Sequence, residues 1–583
     1  MFAAGPTLLL LLLPLTPLPP QEDGAEEPPE VQTNPWTGVP VKSHEQILAE
    51  RESVALATVE QPLVREYFKR VPWTARELGY AAYDGHEGQF DLAQSARWLR
   101  LLADSSGELL HVAPHLLEPV RRVDHAWLAS WMHAEILTTS SLPATRRDPA
   151  WYVEGVFRAI RSLAEARTPD EPERVAALSR RLSFVPDIWA EARRNLRDPV
   201  PMWTEHGIEL AFDLVFYLEG PLEGAFAESF AGGLDPDSFH GPRREALEET
   251  REFIRWLEGV RLARDHRSWS MDPRTWEDLI QTLSGVRLTR DELKVLLLRD
   301  LARMQRQLGE RVELEPTPAP SLRPPAVQQN LRIGLDGSRE LAVAARLLAP
   351  GDPSPAARTR TAAQRGGPPL RRLPASGGDW ILEVQLPADH WMADMRATRE
   401  SLLSRTALAA AGVRHGAAGE TGLYHQIARR ETVTRGSLVN RCTVEGFGLY
   451  ATDWVPRVDW VENPFRASEG VRAELVRVRL IEAARLYASL QLHGESLPPP
   501  DVVTDFHGHT GFDVATCQRE ILEIMRDPLR GIGYLGYREI RSLEEDLNIP
   551  SLREEGAIRL TRVTLTKNPC ARVSDIRSYL SPR

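Results

Sequence analysis

Helical amphipathic patterns follow one another from about residue 43 to residue 310, and they limit the possible folds more than any other feature of the chain. Ser43 with Gln46 and Thr289 with Glu292 have the spacing of capping boxes, which mark the starts of helices. After the second box, apolar side chains recur at the period of one helix face, at Leu293, Leu297, Leu301, Met304 and Leu308. Helical patterns return after about residue 396. The sequence therefore predicts a mainly α protein.

The helical patterns are interrupted in the middle of the chain. Glu315–Pro325 and Pro350–Gly378 are rich in proline, glycine, alanine and arginine, which is typical of loops and linkers. The run Trp380–Leu386 (WILEVQL) has the composition of a strand and predicts a small β element. We expect a helical N-terminal region over residues 43–310, a Pro/Gly-rich linker region over 311–378 and a C-terminal region over 379–583.

The charge of the chain argues against a nucleic-acid partner, and its hydropathy argues against a transmembrane segment. The 583-residue chain has a formal net charge of −11, and we find no basic stripe interleaved with aromatic residues. Because phosphate-backbone binding depends on clustered Lys and Arg, we expect no nucleic-acid partner. No stretch is long and apolar enough to predict a transmembrane helix.

The three cysteines are too few and too scattered for a disulfide framework, and we expect them to be small buried hydrophobes.

The N-terminal segment resembles a secretory leader. The run Leu8–Leu13 is apolar and too short to span a bilayer, and an acidic stretch follows it. We interpret residues 1–30 as a signal peptide with a disordered acidic N-terminus, which predicts a periplasmic or extracellular protein. No cysteine lies near the leader, so the sequence does not predict a lipid anchor.

Several segments together resemble a bacterial family of exported helical proteins, the domain-of-unknown-function family 885. The matching segments occur in the same order in both, and they are RLSFVPDIWAEARRNLRDP (Arg181–Pro199), VEGFGLYATDW (Val444–Trp454), RLYASLQLHG (Arg485–Gly494) and RDPLRGIGYLGY (Arg526–Tyr537). The resemblance implies a zincin-like helical fold, with a small sheet under the helix that carries the metal motif. It also implies that residues 379–583 form the zincin-like region.

The residues that a zincin needs are missing from the matching segment of this chain. A zincin holds zinc through two histidines of an HExxH helix and uses the intervening Glu as general base. The family's motif resembles HExxPGHHLQ, and its alignment on Gln426 places Ala417 and Ala418 at the first His and the Glu. The later His of that motif falls at Leu423, whereas the i+4 position of a simple HExxH is Thr421, and neither residue is a histidine. The resemblance therefore implies a degenerate motif. It also implies that residues 411–430 and 439–454 form two helices packed side by side, with Glu445 facing the first.

Three residues match other family positions that line the site. Glu445 corresponds to the third zinc ligand, His493 to a downstream His and Tyr534 to a Tyr that could stabilise an oxyanion. Without a metal or a base, these three are candidates for a vestigial cleft. The family's Asp ahead of the downstream His is Ser489 in this chain, a further departure from a working site.

Two classes of function remain open. The first is a non-catalytic pseudoenzyme that binds a peptide-like or envelope ligand in the inherited cleft, with no cofactor. The alternative is a metal-dependent peptidase or amide hydrolase with a rearranged zinc site, whose candidate ligands are His415, Glu420, His425 and Glu445.

Overall fold

The computed structural model describes residues 42–164, 171–226, 237–261, 269–309, 323–345, 347–348, 355–361, 370–374, 380–387, 393–428, 432–457, 468–547 and 571–580. Residues 1–30, which we interpret as a signal peptide, lie outside these ranges, as do Cys570 and parts of both predicted loops. Most of the described chain is α-helix, and its strands form a single three-stranded sheet. The prediction of a mainly α fold with a small β element is confirmed.

The helices of the N-terminal half are α1 His44–Arg70, α2 Pro72–Glu77, α3 Leu92–Leu109, α4 Pro119–Ser141, α5 Ala144–Arg147, α6 Pro149–Ala164, α7 Glu171–Ser183, α8 Val185–Asn195, α9 Pro201–Glu219, α10 Pro221–Gly224, α11 Asp237–Arg261, α12 Pro273–Ser284 and α13 Arg290–Gly309. Both predicted capping boxes are present. The amide of Gln46 donates to the Ser43 hydroxyl at 3.1 Å, and the amide of Thr289 donates to the Glu292 carboxylate at 2.9 Å.

The helices of the C-terminal half are α14 Pro324–Ala344, α15 Ala393–Leu402, α16 Arg405–His415, α17 Glu420–Ala428, α18 Val433–Ser437, α19 Arg441–Trp454, α20 Glu469–Ser489, α21 Pro499–Thr510, α22 Val514–Arg526, α23 Gly533–Asp546 and α24 Val573–Leu580. A π-helical turn, Leu490–Gly494, continues α20. No helix of the described ranges is both long and apolar enough to cross a membrane.

The segment predicted as a linker, residues 311–378, contains regular structure. It holds α14 and the strands β1 Ala356–Thr361 and β2 Leu370–Pro374. The sheet is completed by the predicted strand β3 Trp380–Leu386, which pairs parallel to β1 and antiparallel to β2. Composition misled the prediction because β1 and β2 are rich in arginine, and their pairing with β3 cannot be read from their own residues.

Two large cores and a small one hold the helices together. One large core lies within residues 73–257, and the other combines α1, α3, α4, α12 and α13 with the C-terminal helices. The small core packs the sheet against α14 and α16 through residues such as Leu335, Val384 and Leu408. Helix α16, which leads into the motif segment, packs against α14, and α14 in turn contacts β1 and β3. Of the cysteines, Cys442 and Cys517 are buried, as expected.

Candidate functional site

The motif segment forms two helices separated by a turn, so the single helix predicted over residues 411–430 is wrong. Helix α16 ends at His415, and α17 begins at Glu420. Within the turn, the amide of Gly419 donates to the carbonyl of Gly416 at 3.0 Å, and the amide of Ala418 donates to the Ser338 hydroxyl at 2.9 Å. Ala417 and Ala418, which the resemblance places at the first His and the Glu, therefore lie on a turn.

Two glycines explain why α19 lies so close to its neighbours. A Cβ at Gly446 would lie 2.6 Å from the carbonyl carbon of Gly536 on α23. A Cβ at Gly448 would lie 2.7 Å from Cγ of Glu420, at the start of α17. Glu445, on the same helix, lies against Gly533 at the start of α23, where an added Cβ would be 2.6 Å from the Cβ of Glu445. The predicted packing of the segment 439–454 against the motif segment is confirmed, since α19 lies against both α16 and α17.

Arg414 occupies the centre of a group of carboxylates at this crossing. Its Nε lies 3.2 Å from Oε1 of Glu420, and its Nη1 lies 3.0 Å from Oε1 of Glu482. Its side chain is only 14% exposed, and its charge also acts on Glu445. A buried guanidinium therefore supplies positive charge to three carboxylates.

Glu445 itself is paired with an arginine on its own helix. Its Oε1 accepts from Nε of Arg441 at 2.6 Å, and Nη1 of Arg441 donates to Asp527 at 2.6 Å. Burial raises the pKa of Glu445, Arg441 opposes this effect, and the charges of Glu482 and Glu420 add to it. The carboxyl group thus lies in a crowded acidic environment that its arginine offsets only in part.

The pairing extends from Glu482 into a larger group, which we call the Arg414 network. Arg485 donates to Glu482 at 2.6 Å and to Glu520 at 2.7 Å, and Arg530 donates to Glu520 at 3.3 Å. Burial alone would raise the pKa of Glu482, but Arg414 and Arg485 outweigh it and hold that pKa below 4.5. The network consists of Arg414, Glu420, Arg441, Glu445, Glu482, Arg485, Glu520, Asp527 and Arg530.

The other two candidates for the vestigial cleft have partners elsewhere. His493 is fully buried, accepts from the amide of Met271 at 3.2 Å and donates to the carbonyl of Ile524 at 3.0 Å. The Tyr534 hydroxyl donates to the buried carboxylate of Asp300 on α13 at 3.0 Å. Both side chains thus hydrogen-bond groups outside the Arg414 network.

Ser489, which the resemblance aligns with an Asp of family 885, joins three parts of the fold. Its hydroxyl accepts from the Trp276 indole at 3.0 Å and donates to the carbonyl of Pro528 at 2.6 Å. A carboxylate could not donate to that carbonyl, so the serine suits its structural position.

The structure brings together only part of the alternative metal set. Nδ1 of His415 lies 2.9 Å from Oε2 of Glu420, while His425 is a buried residue of α17. These residues do not fit a zinc ion, because the carboxylates of Glu420 and Glu445 already pair with arginines. Ala417 and Leu423, both buried, offer no ligand atom at all.

Sequence reasoning missed a second cluster of ligand-type residues. Glu154, His206 and Glu523 place their ligand atoms within 4.8 Å of one another, and this is the one such group in the described ranges. Nε2 of His206 lies 3.2 Å from Glu523, and Arg526 forms two contacts of 2.9 Å with Glu154. The three residues come from α6, α9 and α22, so no local spacing could have revealed the cluster. The guanidinium of Arg526 already supplies positive charge to the carboxylates of this cluster.

The fold defines the class of protein: a large helical protein with a small mixed sheet beside the motif helices. No known protein family and no curated protein matches the chain. Two solved structures share the fold. One is "a putative lipoprotein of unknown function" from Shewanella oneidensis, with a TM-score of 0.65 and 14% identity over 90% of this chain and 98% of that one. The other is "the putative lipoprotein" from Colwellia psychrerythraea, with a TM-score of 0.71 and 14% identity over 92% of this chain and 99% of that one. The resemblance to family 885 stays an interpretation.

Proposed function

We propose that this chain is an exported, non-catalytic relative of zincin-like proteins that binds a peptide-like or envelope ligand without a metal cofactor. Its export is supported by the leader-like residues 1–30 and by the descriptions of the two structural neighbours as lipoproteins. The absence of catalysis is supported by one observation above all, the position of Arg414 between Glu420 and Glu482.

The position of Arg414 bears on chemistry because a hydrolytic metal needs anionic or imidazole ligands that are available to it. A guanidinium held by two carboxylates, with Glu445 nearby, neutralises the same charges that a zinc ion would neutralise. Metal binding there would have to displace a buried arginine and strand its charge. The network therefore has the character of a structural replacement for a metal centre.

Elemental analysis of purified protein tests the first half of the proposal. After dialysis, we expect zinc far below one equivalent, and no hydrolysis of unmodified peptides. The variants Glu445→Ala and Glu258→Ala should give the same result, since Glu258 is exposed on α11 and serves as the control. Stoichiometric zinc that is lost only in Glu445→Ala would overturn the proposal and favour the metal-dependent hydrolase.

Thermal denaturation tests the second half. Synthetic peptides and soluble cell-wall fragments are added to zinc-free protein, and a saturable rise in Tm is expected for at least one of them. If no fragment or peptide changes the Tm of well-folded protein, the binding role is wrong, and a structural role for the chain takes its place.

A further inference from the structure

A pocket lined by arginines opens between α13, α19, α20 and α23, and none of its lining residues belongs to the Arg414 network. Its volume is about 390 Å³, within the range of about 300–1,000 Å³ that is usual for small-molecule sites. Its walls carry the guanidinium groups of Arg299, Arg303, Arg479, Arg538 and Arg541. Such a concentration of positive charge contrasts with the net charge of −11 of the whole chain.

Part of the pocket wall is held in a fixed arrangement. Asp453 accepts from Arg479 at 3.3 Å and lies 3.2 Å from Nε of Arg541. The guanidinium of Arg479 also lies over the ring of Tyr537, 5.9 Å from its centroid. Because contacts on more than one side hold these groups, they offer positive charge without a large ordering cost on binding.

Two arginines at the rim of the pocket are more exposed. The side chains of Arg299 and Arg303 are 67% and 52% exposed, and they lie 3.6 Å and 3.5 Å from Oδ1 of Asp300. These distances are too long for hydrogen bonds, so the two ion pairs with Asp300 leave the guanidinium N–H groups able to donate to a ligand. Asp300 is itself buried and contacts Tyr534 and Arg538.

The balance of charge indicates which kind of anion the pocket suits. Arg541 also pairs with Glu544 at 2.6 Å, and Glu544 in turn pairs with Arg457 behind the wall. With these two included, six arginines face four carboxylates, which are Asp453, Glu545, Asp300 and Glu544, and the excess is two positive charges. A phosphate monoester carries between about −1.5 and −2 charges at neutral pH, and the guanidinium fork matches its oxygens. A single carboxylate would leave the excess uncompensated.

We infer that this pocket binds a small phosphate-bearing ligand, with Arg299 and Arg303 closing on the phosphate and the half-buried Tyr537 contacting its organic part. The inference rests on the proposed binding function and names the site and the ligand class for it. The phosphate group could belong to a soluble metabolite or to a lipid headgroup, and the chemistry of recognition is the same for both.

Isothermal titration calorimetry with pyrophosphate and with glycerol phosphate tests the inference on the full chain. We expect saturable binding that weakens as salt is added, because the attraction is electrostatic. The double variant Arg299→Ala/Arg303→Ala should bind about a hundredfold more weakly, since each lost bond to a charged group is worth about one order of magnitude and two are removed. Both residues are exposed, so the variant should fold normally, which circular dichroism checks.

The matched control is the double variant Arg194→Ala/Arg255→Ala. Its two arginines are 66% and 64% exposed, and each pairs with a glutamate on its own helix. It should bind both phosphates as the unmodified protein does. Equal weakening in both double variants, or no saturable binding to any phosphate probe, would overturn the inference.

Vesicle sedimentation distinguishes the two sources of the phosphate. Binding to vesicles that contain phosphatidic acid, whose headgroup is a phosphate monoester, but not to soluble phosphates, with loss in Arg299→Ala/Arg303→Ala, assigns the pocket to a lipid headgroup. Phosphatidylcholine vesicles, which carry no net charge, are the negative control. If phosphate binding fails while zinc-free protein still binds peptides or cell-wall fragments, the inference is wrong and the proposed function stands.

Discussion

Acidification should destabilise this protein through His493, which is fully buried in the π-helical turn Leu490–Gly494. The amide of Met271 can only donate, so Nδ1 of His493 accepts and the ring proton lies on Nε2, facing the carbonyl of Ile524. Burial lowers the pKa of His493 from 6.5 to about 4, although the Ile524 carbonyl opposes this effect. Protonation of Nδ1 would bring two donors together in the core.

The sign and the size of the effect follow from this lowered pKa. The contribution of the neutral ring to stability is complete above the unfolded pKa of 6.5 and is lost as the pH falls towards about 4. A lowering of about 2.5 pKa units corresponds to about 3 kcal/mol of unfolding free energy, of which about 2 kcal/mol is lost by about pH 5.

Urea unfolding followed by tryptophan fluorescence measures this loss, because the chain has 15 tryptophans and several of them, such as Trp127, Trp189 and Trp454, are fully buried. Other groups titrate in the same range, so the comparison is with His493→Gln. That variant should be less stable at neutral pH, but its stability should fall by about 2 kcal/mol less between about pH 7.5 and about pH 5. Parallel pH profiles for the two proteins would refute the reasoning, as would a His493 NMR titration near pH 6.5.

Three further predictions concern the motif segment and its surroundings. Two triple variants combine Ala417→His and Ala418→Glu with either Thr421→His or Leu423→His. Neither should contain stoichiometric zinc by elemental analysis, because residues 416–419 form a turn. Zinc uptake that requires Glu445 would contradict this expectation. Gly446→Ala should destabilise by about 1–3 kcal/mol in denaturant unfolding, since its Cβ would overlap α23. Gly508→Ala, in an open position of α21, is the control and should leave stability unchanged or raise it. Equal losses of stability for Gly446→Ala and Gly508→Ala would show that α19 and α23 do not pack tightly at Gly446. Arg414→Met should lower the free energy of unfolding by about 3–5 kcal/mol, because it leaves buried carboxylates without their partner. Adding Glu482→Gln should recover part of that loss, whereas simple additivity of the two changes would argue against a coupled network.

The local features of this fold could be predicted from the sequence. The capping boxes at Ser43 and Thr289 and the strand Trp380–Leu386 depend on residues a few positions apart, and all three are present. The absence of an HExxH sequence can also be read directly, because the side chains of Ala417 and Leu423 carry no ligand atoms whatever the fold. The regular structure within residues 311–378 was missed, since strands β1 and β2 depend on a partner strand more than on their own composition.

The electrostatic centre of the molecule was decided only by the tertiary structure. The sequence offers Arg414 as one of many arginines, and nothing in its local pattern distinguishes it. Its role depends on Glu482, 68 positions away on α20, and on the closeness of α19 that Gly446 and Gly448 permit. Likewise, Glu154, His206 and Glu523 meet only because three separate helices pack together. Local sequence sets helix starts and side-chain chemistry, whereas the energy of a buried charge depends on neighbours that only the folded chain brings within a few ångströms.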